Sequence, residues 1–408
     1  MAGTIEPFSA IINPLPTQKL NIYAFGTGDN AELGLGPEVN AKVVKRPRLN
    51  AHLLPNKVGI VAIAVGGMHG LALSYEGRYV LGRATAHTPL TRVVRSGDDD
   101  DSDSDEEVPL NPLENTPILI TGFPEGTVIT SIAARTSVQA VPVLLPTPRN
   151  IVRVSIGTDH VLGLTKEGDV YAWGNGQQYQ LGRLVSERHR LTGLNPRQVS
   201  LPRRQVEYVA TGSYHSFAIT LDGTVWACGI CTEEDSTVIP VPTVVRSLAG
   251  YIIVQIPAGE HHSTALTESG ELLVWGRLDS GQLGIDPAAL SADDCVCDAR
   301  GNPRYLRTLH AVPGIRFSTI GCGTDHNIAI SMDGQASSWG FNGSYQTGLG
   351  PDAGDEIMTP TRIENTATRG VRMTFATAGG QFSILAGVPT EPANCGYSGA
   401  AEEDEGGD

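Results

Sequence analysis

The amino-acid sequence predicts an all-β protein, a seven-bladed β-propeller closed by pairing of strands from its N- and C-termini. Three observations carry this. A phrase made of Gly-x-x-His, an apolar stretch, x-Gly, a second apolar stretch and Trp-Gly recurs, with first glycines at 157, 212, 259, 323 and 379, spaced 47 to 64 residues apart. Self-similarity at such a period marks a repeat architecture in which each copy is one supersecondary unit. The last copy stops before its Trp-Gly, and the missing half stands at the start of the chain. Finally, 48 Gly and 26 Pro punctuate short apolar runs, with no long amphipathic helix, as in an all-β domain of many turns.

The copies follow in order. Leu20–Gly26, then Glu32-Leu33-Gly34-Leu35-Gly36, is a second half without a first. Gly66-Gly67-Met68-His69 opens a copy that runs to Tyr79, and Ile129–Ala134 is a weak copy that breaks off. Gly157–Gly174, Gly259–Gly276 and Gly323–Gly340 are complete, and Gly212–Gly229 is nearly so. Gly379-Gly380-Gln381-Phe382 to Val388 is a first half. Pairing of residues 20–36 with 375–388 completes that blade and removes exposed strand edges. Gly168, Gly223, Gly270 and Gly334 each follow Asp, Glu or Ser, the chemistry of a tight hairpin turn with positive φ. The Gly of Trp-Gly admits close backbone approach. All four Trp fall in or beside second strands, so they read as packing residues rather than a ligand platform.

The expected organisation is an N-terminal tail over 1–16, a propeller over 17–390 and a disordered acidic tail over 391–408. The net charge of −15 is concentrated. Residues 98–107 hold eight acids and 402–408 five, which leaves 31 acids against 29 bases in the body. The first run, an insertion at 97–107 that includes Ser102 and Ser104, reads as a solvated loop. No apolar run is long enough to span a membrane. The first residues have no basic n-region or apolar h-region, so a cytosolic or nuclear compartment is expected. Cys228-x-x-Cys231 and Cys295-x-Cys297 invite a zinc reading, but Cys228 aligns with the Trp173 slot and neither pair has His at finger spacing. No structural metal and no cofactor are expected. Arg183, Arg188, Arg190, Arg197, Arg203 and Arg204 lie within 22 residues with Glu187 the only acid. This is either a soluble loop or a docking surface for an acidic or phosphate-bearing partner. There is no nucleophile elbow or phosphate-loop motif, so no covalent enzyme chemistry and no small-molecule substrate are expected.

The repeat resembles that of the regulator of chromosome condensation family, guanine-nucleotide exchange factors for the small GTPase Ran. Tyr23-Ala24-Phe25-Gly26-Thr27-Gly28-Asp29-Asn30-Ala31-Glu32-Leu33-Gly34-Leu35-Gly36 is similar to its opening blade. Trp173-Gly174-Asn175-Gly176-Gln177-Gln178-Tyr179-Gln180-Leu181-Gly182-Arg183, Pro360-Thr361-Arg362-Ile363 and Gly379-Gly380-Gln381-Phe382-Ser383 also resemble it. The likeness covers about residues 17 to 390. It implies a monomeric, nuclear factor that docks one face on Ran, pushes a β-wedge toward the phosphates and binds the nucleotide-free state best. The family's Asp in a Gly-x-Asp-His context maps to Asp159, and its His in a Gly-x-His-His context to His262, with His261 second. Against a contact role, His69, His160, His215, His262 and His326 all fill one repeat slot, where each would only tie its own blade. The family's chromatin loop maps to Arg203 and Arg204, which would meet the acidic surface of the nucleosome's histones, with DNA as a further contact.

The chain departs from the family in several places. Gly77-Arg78-Tyr79-Val80 runs straight into Leu81-Gly82-Arg83, which leaves out nine residues and a Trp-Gly. After Ala133-Ala134 it reaches Val138-Gln139-Ala140-Val141-Pro142-Val143 at once, so the rest of that copy, where the family's wedge lies, is absent. After Gly229 the Gly-Gln-x-Gly segment is missing. A basic N-terminal tail, used in the family for import and DNA contact, is not visible, which leaves a cytoplasmic location open. Two functions therefore stand: an exchange factor for Ran on chromatin with exchange impaired by loss of the wedge, or a propeller interaction module without exchange activity.

Overall fold

A computed structural model describes residues 16–28, 32–36, 42–77, 80–82, 116–134, 145–230 and 238–389. These form six antiparallel sheets. The first sheet holds Ile60–Val65, Gly70–Ser74, Val80–Gly82 and Ile118–Leu119. The second holds Ile151–Ile156, His160–Thr165, Val170–Gly174 and Arg197–Gln198. The third holds Val206–Thr211, His215–Thr220, Val225–Ile230 and Val238–Val244. The fourth holds Ile253–Gln255, His262–Thr267, Leu272–Arg277 and Pro303–Ala311, with Cys295–Cys297 added at its edge. The fifth holds Phe317–Cys322, His326–Ser331, Ala336–Phe341 and Glu356–Arg362. In the seam sheet, Val371–Ala378 and Phe382–Pro389 from the end of the chain join Asn21–Thr27 and Val43–Leu49 from its start. The register runs from Asn21 opposite Gly387 to Gly26 opposite Phe382, so the split repeat is a shared sheet.

Strand alternation explains why the sheets stand side by side around an axis. Successive side chains point to opposite faces. In the fourth sheet Ala265, Leu273 and Trp275 join a core with Phe217, Ile219 and Val225 of the third. Their neighbours Leu266, Leu272 and Val274 join a different core with Phe317, Ile320 and Trp339 of the fifth. A strand buried on both faces reads as a near-continuous apolar run, which is what the repeat shows. The sheets converge on one cavity, lined by Val65, Ile156, Thr211, Ala258, Cys322 and Ala378.

Two glycines show why the motif tolerates no side chain. Gly174 has φ 115°, and a Cβ there would lie 2.3 Å from the Asp159 carbonyl oxygen. Gly157 faces the axis, where neighbouring sheets converge, and its Cβ would lie 2.3 Å from the Gly212 carbonyl oxygen. The expected hairpin glycines Gly168, Gly223, Gly270 and Gly334 all have positive φ.

The expectation of seven blades is not met among the described residues. Ile129–Ala134 forms no strand. Ile129 and Ile132 instead pack on Val61 and Leu73 of the first sheet, the Ile129 N–H donates to the Gly77 carbonyl at 2.7 Å, and Ala134 lines the cavity. An irregular segment thus covers the first sheet on the side away from the seam. Leu81-Gly82, which the sequence places after a nine-residue omission, lies within the third strand, with Leu81 opposite Ala72. The acidic insertion at 97–107 and the tail at 391–408 lie outside the described residues.

Candidate functional site

The Gly-x-x-His motif joins the first two strands of a sheet, and its His opens the second strand. The rings are buried and reach across to the next sheet. His160 Nε2 lies 2.8 Å from Ser216 Oγ, His215 Nε2 3.1 Å from Ser263 Oγ, His262 Nε2 2.9 Å from Asn327 Oδ1, and His326 Nε2 2.8 Å from Ser383 Oγ. Each receiver sits one residue after the His slot of its own sheet. Three of them also donate to a glutamine carbonyl of the sheet that reached them: Ser216 to Gln180 at 2.7 Å, Asn327 to Gln282 at 2.6 Å and Ser383 to Gln346 at 2.8 Å. Burial drives the His215 pKa down to about 4 and that of His326 to about 3. Burial likewise lowers that of His262, partly offset by its Asn327 bond. The rings of His215, His262 and His326 are therefore neutral links between sheets. The side chain of Ser263, on the fourth sheet, keeps only its bond to His215 among the described residues; that histidine comes from the third sheet, where the Gly-Gln-x-Gly segment is missing from the sequence.

The residue before each His is displayed on this end of the barrel of sheets. Its carbonyl accepts from the residue after the Trp-Gly slot: Asn175 to Asp159 at 2.8 Å, Ile230 to Tyr214 at 3.0 Å, Arg277 to His261 at 2.9 Å, Phe341 to Asp325 at 2.8 Å and Thr27 to Gln381 at 2.8 Å. Consecutive sheets therefore carry Asp159, Tyr214, His261 and Asp325 in a row. Tyr214 and His261 stack, with ring centroids 6.5 Å apart, and His261 Nε2 lies 3.7 Å from Glu260.

Here the first choice of histidine has to be corrected. His262 is 0 % exposed and is spent on Asn327, so it offers no surface to a partner. His261 has 36 % of its side chain exposed. Both occur in one Gly-x-His-His motif, and strand alternation turns one in and the other out.

Arg203 and Arg204 are exposed at the tip of a turn that leads into the third sheet, and Arg204 holds φ 57°. The turn abuts Gly168, at the hairpin end of the second sheet, whereas Asp159 adjoins the other end of the same strand. The two sets of candidate residues lie on opposite faces. The rest of the basic stretch is not one surface. Arg183 folds inward, donating to the Ala172 carbonyl at 3.2 Å, and Arg190 faces Glu187 at 3.5 Å.

A charged network beside His261 goes beyond what the motifs foretold. Arg277 grips Asp279 with two bonds of 2.6 and 3.0 Å. Arg304 reaches Asp279 at 2.8 Å and Asp298 at 3.1 Å. The local Arg-x-Asp after Trp-Gly was the available signal, and Arg304 joins it only through the fold. Cys228 occupies the tryptophan slot opposite Ser216, and burial pushes its thiol pKa up to about 12. Cys231 lies outside the described residues.

Comparison with known proteins places these features. The RCC1-like domain family matches residues 132–385, and the regulator of chromosome condensation (RCC1) repeat matches 21–73. The chain is 38 % identical to Protein pim1 of Schizosaccharomyces pombe over 439 residues, covering 97 % of this chain and 80 % of that protein. It is 37 % identical to guanine nucleotide exchange factor SRM1 of Saccharomyces cerevisiae, covering 92 % and 88 %. Among solved structures it is similar to Prp20p of Saccharomyces cerevisiae, described with its binding properties to Gsp1p and histones. That match has a TM-score of 0.81 and 35 % identity, covering 92 % of this chain and 93 % of that one. The same yeast protein has also been solved bound to Kap60. The pim1 alignment is longer than this chain's 408 residues, so the relative carries stretches absent here. With its radial repeat, its buried histidine links and this similarity along nearly its whole length, the chain belongs to the regulator of chromosome condensation family.

Proposed function

We propose that this chain is a guanine-nucleotide exchange factor for Ran that docks on chromatin in the nucleus as a monomer, with exchange weakened by loss of the wedge segment. The observation that carries the reading is 37 % identity with a guanine nucleotide exchange factor over 92 % of this chain. No covalent step is required. A factor that binds the empty GTPase more tightly than the loaded one must, by reciprocity, weaken nucleotide binding. Asp159 and His261 are the contact residues, with His261 in place of the buried His262. The wedge would follow Ala134, and residues 135–144 lie outside the described residues. Without it the factor discriminates poorly between empty and loaded Ran, and a ligand with equal affinity for two states shifts neither.

Arg203 and Arg204, on the opposite face, dock on the acidic histone surface. Their exposure and the histone binding of the yeast relative support this. The two partners could then be held at once. DNA is a weaker candidate for a body of nearly balanced charge. The Kap60 complex of the same relative supports nuclear import.

Stopped-flow release of labelled GDP from Ran tests the exchange reading. The chain as it stands should bind Ran weakly and accelerate release little. Insertion of a complete blade between Ala134 and Val138 should restore release, and Asp159→Ala or His261→Ala in that restored protein should lower it again. Fast release by the unaltered chain overturns the wedge argument. Ran binding with no gain on restoration favours the interaction-module reading. Nucleosome pull-down by Arg203→Ala/Arg204→Ala should fall at moderate salt, because such contacts are screened.

A further inference from the structure

We infer that Asp325 and Phe341 of the fifth sheet form a further contact site on the Asp159 face, one that takes a lysine or arginine side chain of the bound GTPase. The inference rests on the exchange-factor reading above and extends its contact row by one sheet.

The tetrapeptide Gly-Thr-Asp-His occurs twice, at 157–160 and at 323–326. The fold puts both aspartates in the same slot, at the two ends of the row Asp159, Tyr214, His261, Asp325. What surrounds them differs. Asp159 is paired through its backbone with exposed Asn175, and Asp325 with Phe341 at 2.8 Å. Phe341 is 38 % exposed. The corresponding pairs on the third, fourth and seam sheets are Tyr214 with Ile230, His261 with Arg277, and Gln381 with Thr27. Among these described pairs only the fifth sheet couples an acidic residue, through its backbone, to an exposed aromatic one.

The acid is also left with unused capacity. Asp325 Oδ1 is shielded from water and has no hydrogen-bond partner. Arg277 lies close enough to feel its charge, but its guanidinium is held first by the Asp279 bond. Asp279 takes Arg304 as well. The chain thus supplies two guanidinium groups to Asp279 and none to Asp325. Asp325 as a whole is only half-buried, so a cation from outside can approach its carboxylate, and an exposed aromatic ring covers the methylene stem of lysine or arginine or accepts its charge over the ring face. Aromatic and charged residues of this kind carry most of the energy of an interface.

The test measures binding of nucleotide-free Ran to the full chain and to Asp325→Asn, Phe341→Ala and Asp159→Asn, across a salt series. Asp325→Asn should bind about tenfold more weakly, with a shallower salt dependence, the size of loss expected when one charged contact goes. Phe341→Ala should lose about threefold to tenfold. Asp325→Asn should melt within a degree or two of the unaltered chain, since Arg277 feels this charge only through space and is held by Asp279 instead. Unchanged binding by both variants, with Asp159→Asn impaired, overturns this site and leaves the exchange-factor reading standing. Weaker binding together with a lowered melting temperature also overturns it, because the carboxylate is then a structural group. No Ran binding by the unaltered chain removes the parent reading and this site together.

Discussion

The seam and fifth sheets differ from the first sheet in how completely each repeat is carried through. Where the seam and fifth sheets meet, Tyr23, Phe25, Ile328, Ile330, Phe382 and Leu385 share one core, and His326 bonds Ser383, which in turn bonds the Gln346 carbonyl. On the far side of the first sheet the buried core among the described residues is Val61 and Leu73, covered by Ile120, Ile129 and Ile132 from an irregular segment. Among the described residues its third strand is Val80–Gly82 and its fourth Ile118–Leu119. A propeller blade is stabilised by its neighbours as much as by its own strands. The shortened copy survives because its other face joins the large core through Ile60, Ile63 and Ala72.

Removing residues 1–36 should have the largest effect. It deletes the strand Asn21–Thr27, with Tyr23 and Phe25 almost wholly buried, and leaves Phe382–Pro389 paired on one side only, with Val371–Ala378. Calorimetry should show loss of the cooperative transition. An unchanged melt would mean that the seam contributes nothing.

Trp339→Ala comes next. The ring is 0 % exposed between the fourth and fifth sheets, and such truncations cost about 3–5 kcal/mol. Urea titration would measure it.

Acid should act through the histidine links. His215 and His326 titrate near 4 and 3 in the folded chain, against 6.5 for an unperturbed histidine. Their folded pKa is depressed, so between about pH 6.5 and 4 the unfolded chain binds more protons and stability falls as pH falls. A flat melting temperature across that window would show the rings are not buried neutral.

The smallest effect is expected at the covering segment. Ile132→Ala removes a partly buried side chain and should cost about 1 kcal/mol or less. Hydrogen exchange should then sharpen the contrast, with amides of Gly70–Ser74 opening before those of His326–Ser331.

Much of this was legible because the repeat residues have few substitutes. Gly174 and Gly157 meet backbone atoms where any Cβ would collide, and the hairpin glycines need positive φ, so they stand out in the sequence. The blade count was not legible at Ile129–Ala134, since a short apolar run suits a strand or an irregular cover equally well. At the candidate site, Asp159 could be placed from its motif. The inward and outward histidines depended on which residue begins the strand. Aligning on Gly270 puts His262 in the buried slot, and that alternation was the usable signal. The Arg277, Asp279 and Arg304 network needed residues far apart in sequence to meet.

The seam also sets how the molecule yields to force. Asn21 lies opposite Gly387, so the two ends of the chain leave the sheet at the same edge. Tension applied to both ends peels the pair open from Asn21 toward Gly26, loading the bonds singly instead of in parallel. The protein is therefore weakest mechanically where its thermal stability is anchored, and tension on Asn21 and Gly387 separates the seam strands before any other sheet is strained.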